Sequence, residues 1–387
     1  MEKRLPSPKI KQEVPLMAEG TGNIVLFTPH VPRRASQYVN EVLGTRWIGQ
    51  GPRVEEFESR FSELFCGGNP SIAVGSGTDA LHLAYLLAGI RPGDEVAVPV
   101  FTCTATNIPL LYIGAKPVFV DIDPKTMNID VEHLRKVVTS KTKAIVVVHY
   151  GGLPCDMDEI TEIARNFGIP VIEDAAHAVG AQYRGTSVGE ISDFTMYSFQ
   201  AIKHITTGDG GLLSFKEFDL LEPSKRLRWF GIDRSSKQLG IWENDIKEVG
   251  YKYQMTDIGA AMGIAGLEEF PETLLHRQQL LEKYEQLLDP NPDVEVIAHT
   301  AQDRIHAAWL CTVAVNRRRD LQQKLLDNHI ESNQVHYRND RYSIFSPKKL
   351  PLPNMDMLEE RYLCLPLHTK MSIEDVEKIC GVINSGW

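Results

Sequence analysis

"SIAVGSGTDALHLAYLLAGI", residues 71–90, decides the fold. Ser71–Val74 reads as a short buried strand, the glycines at 75 and 77 break it, and an apolar-rich helix follows until Gly89 closes it. The same unit recurs on both sides of this stretch. Upstream, "VEEFESRFSELF" (54–65) spaces its apolar residues as a helix does, after a break at "GQGP". Downstream, "DEVAVPV" (94–100) precedes a helix through "ATNIPLLYIGA", and "PVFVDID" (117–123) precedes one opening near Asp130. "KAIVVVHY" (143–150) precedes the amphipathic "DMDEITEIARNFG" (156–168). "PVIEDAA" (170–176), "FTMYSF" (194–199) and "GGLLSF" (210–215) are three more strands. Val/Ile runs of this kind, alternating with helices, predict an α/β fold with a mostly parallel sheet covered by helices. Sites in such sheets gather at the carboxyl ends of the strands.

The pattern changes after about residue 256. "TDIGAAMGIAGLEEF" and "LHRQQLLEKYEQLL" read as two helices, and "DPNPDVEV" breaks the chain. "AAWLCTVAV", "RRDLQQKLLDNH" and "SIEDVEKICGVI" then suggest an α+β unit. The chain therefore divides into a flexible N-terminal arm (1–22), a large domain (23–270) and a smaller C-terminal α+β domain (271–387).

Across 387 residues the composition is 43% hydrophobic and 24% charged, ordinary for a globular protein. The net charge of -10 argues against nucleic acid as a partner. Six scattered cysteines form no CxxC pair, so they read as reduced thiols rather than a disulfide frame or metal site. No apolar run is long enough to cross a bilayer, and "MEKRLPSPKIKQEVPL" lacks an apolar secretory core. A cytoplasmic protein is expected.

Three clusters carry chemistry, each directly after a strand. "GSGTDAL" (75–81) offers glycine turns and the N–H groups of a helix start, which suit a phosphate. Its plainer reading is a strand–helix turn with Thr78 or Asp79 as N-cap. "VIEDAAHAVGA" (171–181) sets Asp174 at the end of an apolar strand, where a buried carboxylate needs a cationic or hydrogen-bonding partner such as a pyridinium nitrogen. His177 follows three residues on. Alone, Asp174 reads as a helix cap and His177 as a packed histidine. "SFQAIKHITTGDGG" (198–211) places Lys203 between a strand and a Thr/Asp/Gly turn. Alone it is a solvated loop charge, whereas an amine that forms a Schiff base needs a lowered pKa. A phosphate cup, an acid for a ring nitrogen and an amine for an aldehyde are together what pyridoxal phosphate requires.

The sequence resembles the DegT/DnrJ/EryC1/StrS family of sugar aminotransferases, of the aspartate-aminotransferase fold group, from about residue 24 to the end. The likeness lies in "RWIGQGPRVEEFESRF", "GSGTDALHLAYLLAGIRPGDEV", "GAKPVFVDID", "IEDAAHAVGA", "SDFTMYSFQAIKHITTGDGG", "GYKYQMTDIGAAMG" and "CLPLHTKMS", in that order. The resemblance implies the pyridoxal-phosphate transferase fold of type I. It implies Lys203 as the lysine that bonds the cofactor and then shuttles the proton, Asp174 on the pyridine nitrogen, and His177 near the ring hydroxyl. Gly77, Thr78, Asp79 and Ser198 would hold the phosphate. "GYKYQM", with Lys252, would reach the neighbouring subunit's site, implying a homodimer. Typical substrates are nucleotide-linked keto-sugars with glutamate as donor, the cofactor cycling through its pyridoxamine form. No metal is implied.

Three positions depart from the family pattern: Lys252 stands for a common Asn, Cys103 for an aromatic that stacks on the ring, and Gln200 for a usual His. His336, Tyr337, Arg338, Arg53 and "RLRWFGIDR" (226–234) are weaker candidates for the substrate side. A related group has histidine in place of the lysine and dehydrates keto-sugars, a chemistry that Lys203 argues against. An aminotransferase for a cyclitol or other cyclic ketone, and a non-catalytic protein of the same fold, are the alternatives.

Overall fold

A computed structural model describes residues 17, 22–234, 236, 240–243, 245–346 and 348–387. Apart from Met17 and Gly22, the arm expected over 1–22 lies outside the described residues. The central sheet has seven strands: β1 (Ser71–Val74), β2 (Glu95–Pro99), β3 (Lys116–Val120), β4 (Thr142–Val148), β5 (Val171–Asp174), β6 (Phe194–Ser198) and β7 (Gly211–Phe215). Their order is β1-β7-β6-β5-β4-β2-β3. Pairing is parallel from β6 through to β3, while β7 runs antiparallel to both β6 and β1. Parallel neighbours need a long crossover, but antiparallel ones can be joined by a loop. The connection from β6 to β7 is such a loop, residues 199–210, and it carries Lys203.

Strands β1, β5, β6 and β7 are buried along their whole length, as their unbroken apolar runs require. On one side of the sheet Phe57, Phe61, Tyr197 and Phe199 pack edge to face, with ring centroids 4.8–5.3 Å apart for Phe61–Tyr197 and Phe61–Phe199. Burial of each such ring contributes about 1.5–3 kcal/mol.

The sequence suggests two helices after residue 256. The structure has one, Asp257–Leu288, with Pro271 inside it. A proline within a helix costs about 3 kcal/mol. Burial on both sides offsets this: Ala260, Ile264 and Leu267 pack against the large sheet's core, and Leu280, Tyr284 and Leu288 pack into a separate cluster. That cluster is built on a second sheet of β8 (Val294–Ile297), β9 (Cys311–Val315) and β10 (Tyr362–Leu365), antiparallel in the order β8-β9-β10. Helices Arg318–Asp327 and Ile373–Asn384 cover it. A two-residue ribbon, Phe101–Thr102 against Tyr337–Arg338, ties this C-terminal part to the ends of the large sheet's strands. No described helix is long and apolar enough to cross a membrane.

Candidate active site

The three clusters converge at the carboxyl ends of β1, β5 and β6. Helix Gly77–Leu87 starts immediately after β1, and its N-cap is Ser76, whose hydroxyl accepts from the Asp79 N–H at 3.1 Å. This corrects the expectation of Thr78 or Asp79 as cap, because the extended residue before the first helical turn is the one placed to accept from it. A methyl group added at Gly77 would lie 3.0 Å from Ser198 Cβ and 3.3 Å from Ser198 Oγ. Only glycine allows that approach, and it brings the helix start and the Ser198 hydroxyl into one cradle. Burial pushes the Asp79 carboxyl up to about 6.

Asp174 ends β5 and is 4% exposed. Its two carboxylate oxygens accept from the Thr106 hydroxyl at 2.7 Å and the Ala176 N–H at 3.1 Å. Thr106 is itself bonded to Thr102 at 2.8 Å. Burial raises the Asp174 carboxyl's pKa, with Thr106, Ala176 and Lys203 opposing. Among the described residues no basic side chain approaches it to ion-pairing distance. A protonated ring nitrogen would complete this donor set.

Lys203 is partly buried, its amine 3.8 Å from the centre of the Trp309 indole. Burial lowers its pKa to about 8, against the upward pull of Asp174 and Cys103. Part of the amine is therefore neutral near neutral pH, as nucleophilic and proton-transfer chemistry requires. Trp309 stacks face to face on His177 at 3.7 Å and on Phe27 at 5.6 Å. Its indole N–H donates to the Ile202 carbonyl at 3.1 Å, fixing the segment that leads into β9 against the lysine loop. His177 is buried, and its Nδ1 has no hydrogen-bond partner among the described residues.

The structure thus brings together Gly77, Thr78, Asp79, Asp174, His177, Ser198 and Lys203. Lys252 is not among them: it is exposed, with its amine 3.5 Å above the Trp229 ring. Cys103 is the exposed cysteine, next to the ribbon, and the other five are buried and free. Arg338 is neither an exposed loop charge nor a free substrate contact. It is 1% exposed and ion-paired to Asp340 and Asp356. Arg53 is tied to Glu41 and Glu56. Arg228, Trp229 and Arg234 line a cavity of about 150 Å³ with Gln50 and Gly51. Two contributors escaped the sequence reading. Thr106 sits in an ordinary helix start, and Trp309 in a run that reads only as strand.

The residues present fit pyridoxal phosphate. A cradle that a Cβ would fill, a buried carboxylate and a buried His177 nitrogen that have no basic or hydrogen-bonding partner, respectively, among the described residues, and a partly neutral amine lie together at the strand ends.

Known proteins agree with this geometry. GDP-perosamine synthase of Caulobacter vibrioides is 35% identical over 372 residues, covering 93% of this chain and 97% of that protein. The sugar aminotransferase CalS13 of Micromonospora echinospora superposes with a TM-score of 0.89 at 33% identity, over 94% of this chain and all of that one. Spr1654 of Streptococcus pneumoniae, solved in PLP and PMP forms, gives TM-scores of 0.87 and 0.88 at 29% and 30% identity, over 94% of this chain and 98% of that one. These neighbours make the fold that of the type I pyridoxal-phosphate transferases, with pyridoxal phosphate as cofactor. With residues 30–384 matching the family model as well, the chain belongs to the DegT/DnrJ/EryC1/StrS aminotransferase family.

Proposed function

We propose that this sugar aminotransferase moves the amino group of glutamate to the keto carbon of a nucleotide-linked sugar, as a cytoplasmic homodimer. The observation that carries the reading is the pairing of a lysine amine lowered to about 8 with a buried carboxylate at adjacent strand ends. When bound, pyridoxal phosphate supplies an aldehyde that takes up amino groups and a ring that withdraws electrons from the carbon losing its proton. The chain's own residues do the rest. Asp174, held by Thr106 and Ala176, keeps the ring nitrogen protonated. The N–H groups of Gly77 and Thr78 and the Ser198 hydroxyl would hold the phosphate at the helix start, beside Asp79, whose own N–H is bonded to Ser76. His177 would face the ring hydroxyl. Lys203 would bond the cofactor at rest, and its neutral Nζ would take the proton from the substrate carbon and return it. Trp309 keeps water from one side of that amine.

The exposed amine of Lys252, lying over the Trp229 ring, supports the dimer: it would complete the phosphate site of the second protomer. The same reading assigns residues 23–270 to the cofactor-binding part and 271–387 to the smaller part that closes over the substrate. GDP-perosamine synthase among the relatives favours a nucleotide-linked acceptor over a free cyclic ketone.

The test is the visible absorption of the protein with pyridoxal phosphate, before and after glutamate, beside Lys203→Ala. A band that glutamate bleaches in the wild type, restored by a nucleotide-linked keto-sugar, is the expected result. A band indifferent to glutamate would overturn the donor assignment, and one restored equally by cyclitol ketones would overturn the acceptor.

A further inference from the structure

His336 is brought to the site by the ribbon strand Tyr337–Arg338, from the other end of the sequence. Its ring is parallel to that of His177 within 5°, with centroids 5.3 Å apart, and the two Nε2 atoms face each other at 3.4 Å in a hydrogen bond. Trp309 lies flat against the face of His177, 3.7 Å from it and 6.1 Å from His336. Both imidazoles are neutral. Burial, with Lys203 adding to it, keeps His177 well below its ordinary value and brings His336 down to about 3. The other groups acting on His177 are His204 and His149, and neither is bonded to its free nitrogen.

Two neutral imidazoles can bond Nε2 to Nε2 only when one carries its proton there and the other does not. The choice decides what His177 presents at Nδ1, the buried nitrogen without a partner. If His177 donates, Nδ1 is a bare acceptor. If it accepts, Nδ1 carries the proton and is a donor. The cofactor's ring hydroxyl is acidic, and when bound it would present an anionic oxygen to this nitrogen. An anion needs a donor.

We propose that His336 donates its Nε2 proton to His177 and so fixes His177 with its own proton on Nδ1, where it donates to the cofactor's ring oxygen. The proposal rests on the reading above in which His177 faces that oxygen. His336 is then a positioning residue: it acts on the cofactor through the tautomer of its neighbour, as a second hydrogen bond commonly sets which nitrogen of a histidine is protonated. The stack on Trp309 holds the ring plane while His336 holds the proton.

The first measurement is nitrogen NMR of cofactor-free protein labelled at histidine, with His177→Gln identifying the His177 signals. Wild type is expected to show His177 protonated at Nδ1 and bare at Nε2. His336→Gln keeps an N–H donor and should preserve that pattern; His336→Phe keeps a ring without a donor and should reverse it. With pyridoxal phosphate added, His336→Phe should shift the visible band and weaken cofactor binding about tenfold, or about 1.4 kcal/mol, while His336→Gln stays within about twofold. A wild-type His177 protonated at Nε2, or a pattern and band unchanged in His336→Phe, would overturn the proposal. The wild-type spectrum decides this even should His336→Phe fail to fold. Failure of the functional reading looks different: no Lys203-dependent band forms in wild type, whatever the tautomer of His177.

Discussion

The lowered pKa of Lys203 has a kinetic consequence that can be worked out. At pH 7 an amine of pKa about 8 is neutral in about one molecule in eleven. A solvated lysine near 10.4 is neutral in about one in 2,500, so the site gains about 200-fold in reactive amine. Because the neutral form is the nucleophile, the rate at which cofactor-free protein captures pyridoxal phosphate should rise about tenfold per pH unit and level off above about pH 8. The assay is stopped-flow absorbance of the lysine-bound cofactor, with Lys203→Ala as the blank for surface amines. Asp174 pulls the amine's pKa upward, so Asp174→Asn should lower it and bring the plateau in at lower pH. A capture rate still climbing at about pH 10 would refute the claim that burial has made this amine reactive. A plateau that moved up in Asp174→Asn would refute the assigned direction of their coupling.

Four other outcomes are expected. Asp174→Asn replaces a charge-assisted bond by a neutral one, a loss of about 1.5–3 kcal/mol, so the glutamate half-reaction should slow by roughly 10- to 100-fold in single-turnover absorbance; an unchanged rate would remove Asp174 from its role. Gly77→Ala puts a methyl group 3.0 Å from Ser198 Cβ and 3.1 Å from Met196 Sδ, so cofactor affinity measured by equilibrium dialysis should fall roughly tenfold or more with the fold kept. Thr106→Val withdraws one of the donors to a buried carboxylate, and urea unfolding of cofactor-free protein should show about 1–3 kcal/mol less stability. Co-expressed Lys203→Ala and Lys252→Ala chains, each inactive alone, should recover about a quarter of wild-type turnover through mixed dimers; no recovery would mean that Lys252 serves its own chain or none.

How far the sequence could be read follows from where each group's partners lie along the chain. The cradle at the helix start was legible because glycine, strand end and helix start are neighbours in "GSGTDAL". The lysine loop was legible because β6 and β7 flank it closely, and Asp174 because a carboxylate closing an apolar run needs a partner. The two-helix reading after residue 256 failed because the cores that hold the continuous helix together across Pro271 belong to different parts of the fold. Thr106 and Trp309 were hidden for a related reason. A threonine near a helix start and a tryptophan in a strand carry no signal until Asp174 and Lys203 are brought to them from 68 positions away in one case and over a still longer span in the other. His336 shows the same limit in its sharpest form. Its hydrogen bond to His177 spans 159 positions and depends on tertiary contacts such as the pairing of Tyr337 with Thr102 and the Tyr362 hydroxyl on the His336 carbonyl. The chemistry-bearing residues announce themselves through local turn and strand grammar. The groups that set their protonation arrive by tertiary pairing, which is why the tautomer of His177 has to be argued from the folded structure.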